Sequence, residues 1–207
     1  MFGIKDDDLG GRILGCGDGP ASFNARASRL GTSVVSCDPI YQWSAGDIRE
    51  RIGRTYEQVL EQARQNEQDF VWETIPSLDE LGRLRMAAMQ EFLADYPDGG
   101  REGRYVAAQL PALPFRDREF DLALCSHLLF LYSDHLGEAL HRASVLELGR
   151  VATEVRVFPL LALGGAPSPL VEGCVDLLRE SGYDVAVERV AYEFQRGGNQ
   201  MIRFRRL

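Results

Sequence analysis

Arg12-Ile13-Leu14-Gly15-Cys16-Gly17-Asp18-Gly19, close to the start of the chain, decides how the rest is read. Ile13 and Leu14 read as the end of a buried strand. Gly15, Gly17 and Gly19 let the backbone turn sharply and admit a ligand where a Cβ would clash. A helix is expected from Pro20, because proline suits the first helical position. Phe23, Ala27 and Leu30 fall on one face of that helix, and Gly31 closes it in a left-handed conformation. Val34-Val35-Ser36-Cys37 reads as a second strand with Asp38 at its end. That placing resembles the roughly twenty-residue spacing at which an acid meets ribose hydroxyls. Strand, glycine turn, helix, strand and terminal acid make a nucleoside-binding unit.

The glycine pattern bears on which nucleoside. A dinucleotide fingerprint sets its third glycine three places after the second, to admit a pyrophosphate. Pro20 holds that place here, and the glycines alternate instead. Following Ile-Leu, this alternation resembles motif I of the class I S-adenosylmethionine (SAM)-dependent methyltransferases, which implies SAM as cofactor. Two other readings stay open at this point. One is NAD-type binding, and the other is glycines that serve only a tight strand-to-helix turn.

Length and charge narrow the choice. A chain of 207 residues, 45% hydrophobic, is one ordinary domain spanning 1–207. A net charge of −8 speaks against general affinity for nucleic acid or anionic membrane, since phosphate binding needs a basic surface. Arg203 and Arg205 lie on one face of an expected strand and read as solvated. The four cysteines, Cys16, Cys37, Cys125 and Cys174, show no CxxC pairing, so neither a disulfide framework nor a metal cluster is expected. No signal peptide is visible and no apolar run spans a bilayer, which makes the cytoplasm the expected location. Phe2 and Ile4 are read as covering a small part of the ligand site.

After Asp38-Pro39 the alternation of strand and helix is interrupted. Ser44 to Asn66 reads as a long amphipathic helix, capped by Ser44 with Asp47 at its positive end. Ile48, Ile52, Tyr56, Val59 and Leu60 form its apolar stripe. Phe70-Val71-Trp72 is an aromatic link. Ser77 to Tyr96 is a second helix, with a Ser77–Glu80 capping-box pattern, and Pro97-Asp98-Gly99-Gly100 ends it. A simple crossover needs about a third of this length. Residues 42–100 are therefore read as a helical insertion: one helix packs on the sheet, and the other serves as a lid or, alternatively, as a homodimer face.

The third strand is Arg104 to Ala108. Then Leu113-Pro114-Phe115, a polar spacer and Phe120-Asp121-Leu122 look like the LPF…FDL signature of methyltransferases whose substrates are mostly small molecules. In that family an acid commonly stands four residues before the Leu of LPF. Gln109 stands there instead; its carboxamide oxygen accepts the same adenine hydrogen bond as a neutral, weaker partner. The fourth strand, Asp121 to Cys125, runs into Ser126-His127. Ligands of open α/β sheets lie outside the carboxyl ends of the strands, so Ser126, His127 and Tyr132 are expected near the reaction. His127 is the candidate general base, against the alternative of a packing histidine. His135, Glu138 and His141 lack metal-site spacing. The remaining elements are a strand Val151–Phe158, a helix Ser168–Glu180, and strands Val185–Tyr192 and Met201–Phe204.

The resemblance implies a Rossmann-like three-layer α/β sandwich with a seven-stranded, mostly parallel sheet of order 3-2-1-4-5-7-6. It puts the last hairpin at the edge of the SAM site, making Phe158, Phe194, Gln195, Arg196 and Asn199 candidate rim residues. It also implies site roles. Gly15, Cys16, Gly17, Asp18 and Gly19 pass the amino-acid and ribose parts of SAM. Asp38 and Pro39 meet the ribose, Gln109 and Leu110 flank adenine, Cys125 and Ser126 line the methionine, and His127 faces the acceptor. Cys125-Ser126-His127-Leu128 replaces an Asn-Pro-Pro-Tyr-type motif, which disfavours adenine and glutamine methylation. The implied activity is methyl transfer to a small-molecule acceptor. A SAM- or S-adenosylhomocysteine-binding protein without transferase activity is the second reading, and an NAD(P)-linked oxidoreductase the third.

Overall fold

The computed structural model describes Met1–Leu207. Its centre is a seven-stranded sheet: β1 (Arg12–Cys16), β2 (Ser33–Cys37), β3 (Tyr105–Val106), β4 (Phe120–Ser126), β5 (Ala152–Phe158), β6 (Tyr183–Arg189) and β7 (Gln200–Arg206). The order is β3-β2-β1-β4-β5-β7-β6, as expected. The first five strands run parallel, and β7 inserts antiparallel between β5 and β6. Both faces are covered, which is why β1 and β4 read as near-continuous apolar runs.

Successive strand residues point to opposite faces, so Ile13 and Leu14 belong to different cores. Leu14 joins a cluster with Val145 and Leu148 of α4 (Glu138–Val151) and Cys174 and Leu178 of α5 (Val171–Glu180). Ile13 packs with Ala27 of α1 (Phe23–Arg29), Leu122, Leu124, Phe158 and Phe2. A third, aromatic cluster lies at the β3 edge. It holds Tyr41 and Ile48 with Phe92, Tyr96 and Tyr105, from α2 (Ala45–Gln65), α3 (Leu78–Arg101) and their neighbours.

Several boundaries differ from the expected ones. α1 starts at Phe23, not Pro20, because Ala21 N–H turns back to the Gly19 carbonyl. Leu30 is 84% exposed, and the helix buries Asn24, Ala25 and Ala27 instead of a Phe23–Ala27–Leu30 face. Asn24 lies inside because its amide has partners there: Ser36 Oγ at 3.1 Å and the Arg104 carbonyl at 3.0 Å. α3 does not stop at Pro97; it continues to Arg101. Proline removes one backbone donor, but the next bonds still form, with Glu102 N–H on the Asp98 carbonyl, and Gly103 (φ +75°) closes the helix. α5 begins at Val171; ahead of it the Ser168 Oγ accepts the Leu170 N–H at 3.3 Å and lies 2.5 Å from Ser133 Oγ. Val151 belongs to α4.

α2 has the Ser44–Asp47 capping box in full. α3 is the helix that packs on the sheet, against α1 and β3, and α2 lies on α3. Gly82 lets them approach: a Cβ there would stand 2.7 Å from the Tyr56 hydroxyl.

Candidate functional site

The glycine loop leaves β1 at the carboxyl edge of the sheet. Gly17 N–H donates to the Cys37 carbonyl at 2.9 Å, which ties the loop to the end of β2. Gly17 (φ +71°) and Gly19 (φ +58°) take left-handed conformations that cost other residues roughly 1–2 kcal/mol. A Cβ at Gly17 would also meet Leu128 at 2.5 Å. Asp18 turns its carboxylate inward, across Gly15, and accepts the Ser36 hydroxyl at 2.5 Å. Although the residue keeps some exposure, this inward carboxylate is desolvated. That burial, reinforced by the charge of Asp38 and partly offset by Ser36, raises its pKa to about 6.

Asp38 is 9% exposed at the end of β2. Its Oδ2 accepts the Gly19 N–H and its Oδ1 the Ile40 N–H, each at 2.9 Å. The Tyr41 hydroxyl donates to the Gly19 carbonyl at 2.8 Å. Burial, with the charges of Asp18 and Asp38, pushes the Tyr41 phenol well up, so it stays a donor. A carboxylate offers about four lone-pair directions. Two are used here, and the rest suit a vicinal diol.

At the neighbouring strand end, Cys16 is aligned with Cys37 on one side and Cys125 on the other. All three are buried, and the adjoining thiols and burial push Cys16 well up. Cys16 and Cys125 bury their side chains in the core and offer a ligand their backbone. Ser126 and His127 then emerge from the sheet. His127 sits at φ +53°, with its N–H on the Phe158 carbonyl at 2.8 Å and Nδ1 2.8 Å from Ser126 Oγ. The residue is exposed, yet enough protein surrounds its ring to desolvate it. That desolvation, helped by the Arg85 charge, lowers its pKa, so the ring is neutral at pH 7.

The N-terminal segment reaches the same place. Ser126 Oγ donates to Met1 Sδ at 3.4 Å, and Phe2 meets Phe158 edge-on. Phe158 also contacts His127 and Tyr192. A cavity of about 480 Å³ lies between α2 and α3, bordered by Pro20 and Ile40.

Of the remaining expected residues, Pro39 and Gln109 are exposed, while Leu110 turns its side chain into the core and offers only backbone. Tyr132 is 40% exposed. His141 is buried, with both ring nitrogens near carbonyl oxygens. The hairpin residues meet the aromatic link: Phe194 stacks on Phe70 at 4.8 Å, and Arg196 N–H donates to the Asp69 carbonyl at 2.8 Å. Met1, Arg85, Leu128 and Tyr192 carry no motif that would single them out in the sequence. Tertiary packing does so, setting Met1 on Ser126, Leu128 against Gly17 and Tyr192 on Phe158.

A relative from Methanocaldococcus jannaschii, the uncharacterized protein MJ0045, is 30% identical over 207 residues, covering 100% of this chain and 90% of its own length. The chain belongs to the MJ0045 family. No protein-family model matches it. Among solved structures, the magnesium protoporphyrin IX methyltransferase of Synechocystis PCC 6803, with bound SAM, has a TM-score of 0.53 at 12% identity. That match covers 98% of this chain and 73% of the enzyme. An O-methyltransferase of neocarzinostatin biosynthesis, solved with S-adenosylhomocysteine and 1,4-dihydroxy-2-naphthoic acid, has a TM-score of 0.53 at 11% identity, over 99% of this chain and 51% of its own. At these identities the likeness shows the fold. The MJ0045-family chain has the class I SAM-dependent methyltransferase fold.

The residues fit the cofactor of that fold: a pinned carboxylate for a diol, left-handed glycines beside it, and backbone groups at the ends of β1 and β4.

Proposed function

We propose that the protein is a SAM-dependent methyltransferase acting on a small-molecule acceptor. The observation that carries the reading is Asp38, fixed at the carboxyl end of β2 by the Gly19 and Ile40 amides. It supports a ribose contact beside the glycine loop. Gln109, exposed close by, supplies the adenine contact, and the backbone at Cys16 and Cys125 lines the methionine side. The cofactor brings an activated sulfonium methyl, so the protein's task is positioning and exclusion of water. His127, neutral at pH 7, accepts a proton from the acceptor. With Nδ1–H donated to Ser126 Oγ, Nε2 keeps its lone pair for that purpose. Phe158 and Tyr192 wall the approach, and α2 with the aromatic link forms the lid. No helix is long and apolar enough to cross a membrane.

The test is calorimetric titration with SAM, S-adenosylhomocysteine and NADH on the wild type and Asp38→Ala. Micromolar SAM binding that Asp38→Ala removes supports the reading. Preferential NADH binding, or SAM binding indifferent to Asp38, sinks it. SAM binding without turnover across an acceptor screen would favour a binding protein instead.

A further inference from the structure

The cavity between α2 and α3 has a chemistry of its own. Its volume of about 480 Å³ is that of a small-molecule site. Trp43, Ile52, Val59 and Met89 give it an apolar wall, and Pro20 and Ile40 place one end beside the glycine loop and Asp38. Three arginines face it, Arg51, Arg54 and Arg85, against two carboxylates, Asp47 and Glu50. The carboxylates are already engaged. Asp47 accepts the Ser44 hydroxyl at 2.6 Å, and Glu50 lies 3.7 Å from Arg54. The arginines of α2 and α3 that form ion pairs are Arg54, Arg64, Arg83 and Arg101. Arg51 and Arg85 form none.

Arg85 is exposed, as Arg51 is, but its position is particular. It borders the cavity, and it stands close enough to His127 and Tyr192 for its charge to act on both. It therefore links the cavity to the end of β4. An unpaired guanidinium beside an apolar wall recognises carboxylate or phosphate, because its planar fork matches their oxygens.

Resting on the methyltransferase reading above, we infer that this cavity is the acceptor pocket and selects a small molecule with an apolar, ring-sized body and an anionic group held by Arg85, with Arg51 assisting. The anion anchors the molecule and the apolar wall takes its body.

The experiment titrates 2-naphthoate, 1-naphthyl phosphate and the neutral 2-naphthalenemethanol calorimetrically into the full chain. Wild type, Arg85→Gln and Arg51→Gln are compared, with S-adenosylhomocysteine as a parallel ligand. At least one anion is expected to bind about tenfold tighter than the alcohol, a factor that one charge-assisted contact supplies. The better of the two identifies carboxylate or phosphate. Arg85→Gln should erase that preference and leave S-adenosylhomocysteine affinity unchanged. Three outcomes overturn the inference: no binding of any probe, equal binding of alcohol and anions, or loss of S-adenosylhomocysteine affinity in Arg85→Gln, which would give Arg85 to the cofactor's own carboxylate. Anion preference without S-adenosylhomocysteine binding by the wild type would support the anionic pocket and sink the methyltransferase reading alone.

Discussion

Asp38 is fastened to Gly19: its Oδ2 accepts the Gly19 N–H at 2.9 Å, across nineteen residues of chain. One carboxylate thus sets the shape of the glycine loop and keeps two of its lone-pair directions free. Asp38→Asn should keep one of the two amide bonds and lose the charge. Charge-assisted bonds are worth about 1.5–3 kcal/mol, so S-adenosylhomocysteine affinity should fall roughly 10- to 100-fold. Calorimetry decides, and an unchanged affinity removes Asp38 from the ribose.

The two left-handed glycines should respond differently to alanine. At Gly19 (φ +58°) a Cβ meets nothing within 4 Å, so Gly19→Ala costs backbone strain alone, roughly 1–2 kcal/mol. At Gly17 (φ +71°) the Cβ also runs into Leu128 at 2.5 Å. Gly17→Ala should therefore be the more destabilising in urea unfolding. Adding Leu128→Ala should recover part of the difference. Equal costs for the two single variants would mean that Leu128 does not sit against Gly17 in solution.

The inward carboxylate of Asp18 makes stability depend on pH. Its folded pKa of about 6 exceeds the ordinary 3.8, so the fold favours the protonated form. The stabilisation is full below pH 3.8, declines as pH rises through 6, and leaves a penalty above that. At 1.36 kcal/mol per unit the penalty is at most about 3 kcal/mol. Asp18→Asn keeps an acceptor for the Ser36 hydroxyl and removes the charge. Its unfolding midpoint should exceed the wild type's at pH 8 and match it near pH 4. A gain that persists at pH 4 would falsify the assignment to Asp18 ionisation.

These cases show which parts of the site could be read from the chain and which could not. Gly17, Gly19 and Asp38 act through backbone conformation and a strand end, and both leave a local pattern in the sequence. The sheet order followed from the methyltransferase resemblance. Asn24 and Arg104 did not show themselves, because a buried polar network joins residues eighty apart. Pro97 suggested a helix end, yet the packing of Phe92, Leu93 and Tyr96 outweighed one missing donor. Arg85 sits in a periodic helix where nothing marks it. Only the packing of α2 on α3 gives it a cavity to face.

His127 makes a prediction about rate. Desolvation and the Arg85 charge lower its pKa, so the neutral ring persists to more acid pH than an ordinary histidine. The rate with a protic acceptor should fall only at more acid pH. His127→Asn suits the φ +53° backbone, since asparagine tolerates that region. It should leave the melting temperature near that of the wild type and lower kcat about 10²-fold or more. Arg85→Gln should move the acid limb of the pH–rate profile upward. An unchanged kcat in His127→Asn would make the ring a wall, not a base.

The aromatic link after α2 is held to the last hairpin by a clasp that can be opened without touching the core. Phe194 stacks on Phe70 at 4.8 Å and meets Trp72 edge-on. Beside them Val71 N–H donates to the Phe194 carbonyl at 2.7 Å and Arg196 N–H to the Asp69 carbonyl at 2.8 Å. Aromatic pairs of this kind contribute about 0.5–1.5 kcal/mol beyond their buried area, which is enough to hold a short link but not a domain. Phe194→Ala should therefore speed hydrogen exchange at Val71 and Arg196 while amides of β1 and β4 keep wild-type protection, because local opening and global unfolding are separate events. If α2 with the link closes over an acceptor, the same variant should raise the acceptor KM several-fold and leave S-adenosylhomocysteine affinity unchanged. Exchange that accelerates equally in β4 would show that the hairpin and the link support the sheet itself, and the lid reading of α2 would fall with it.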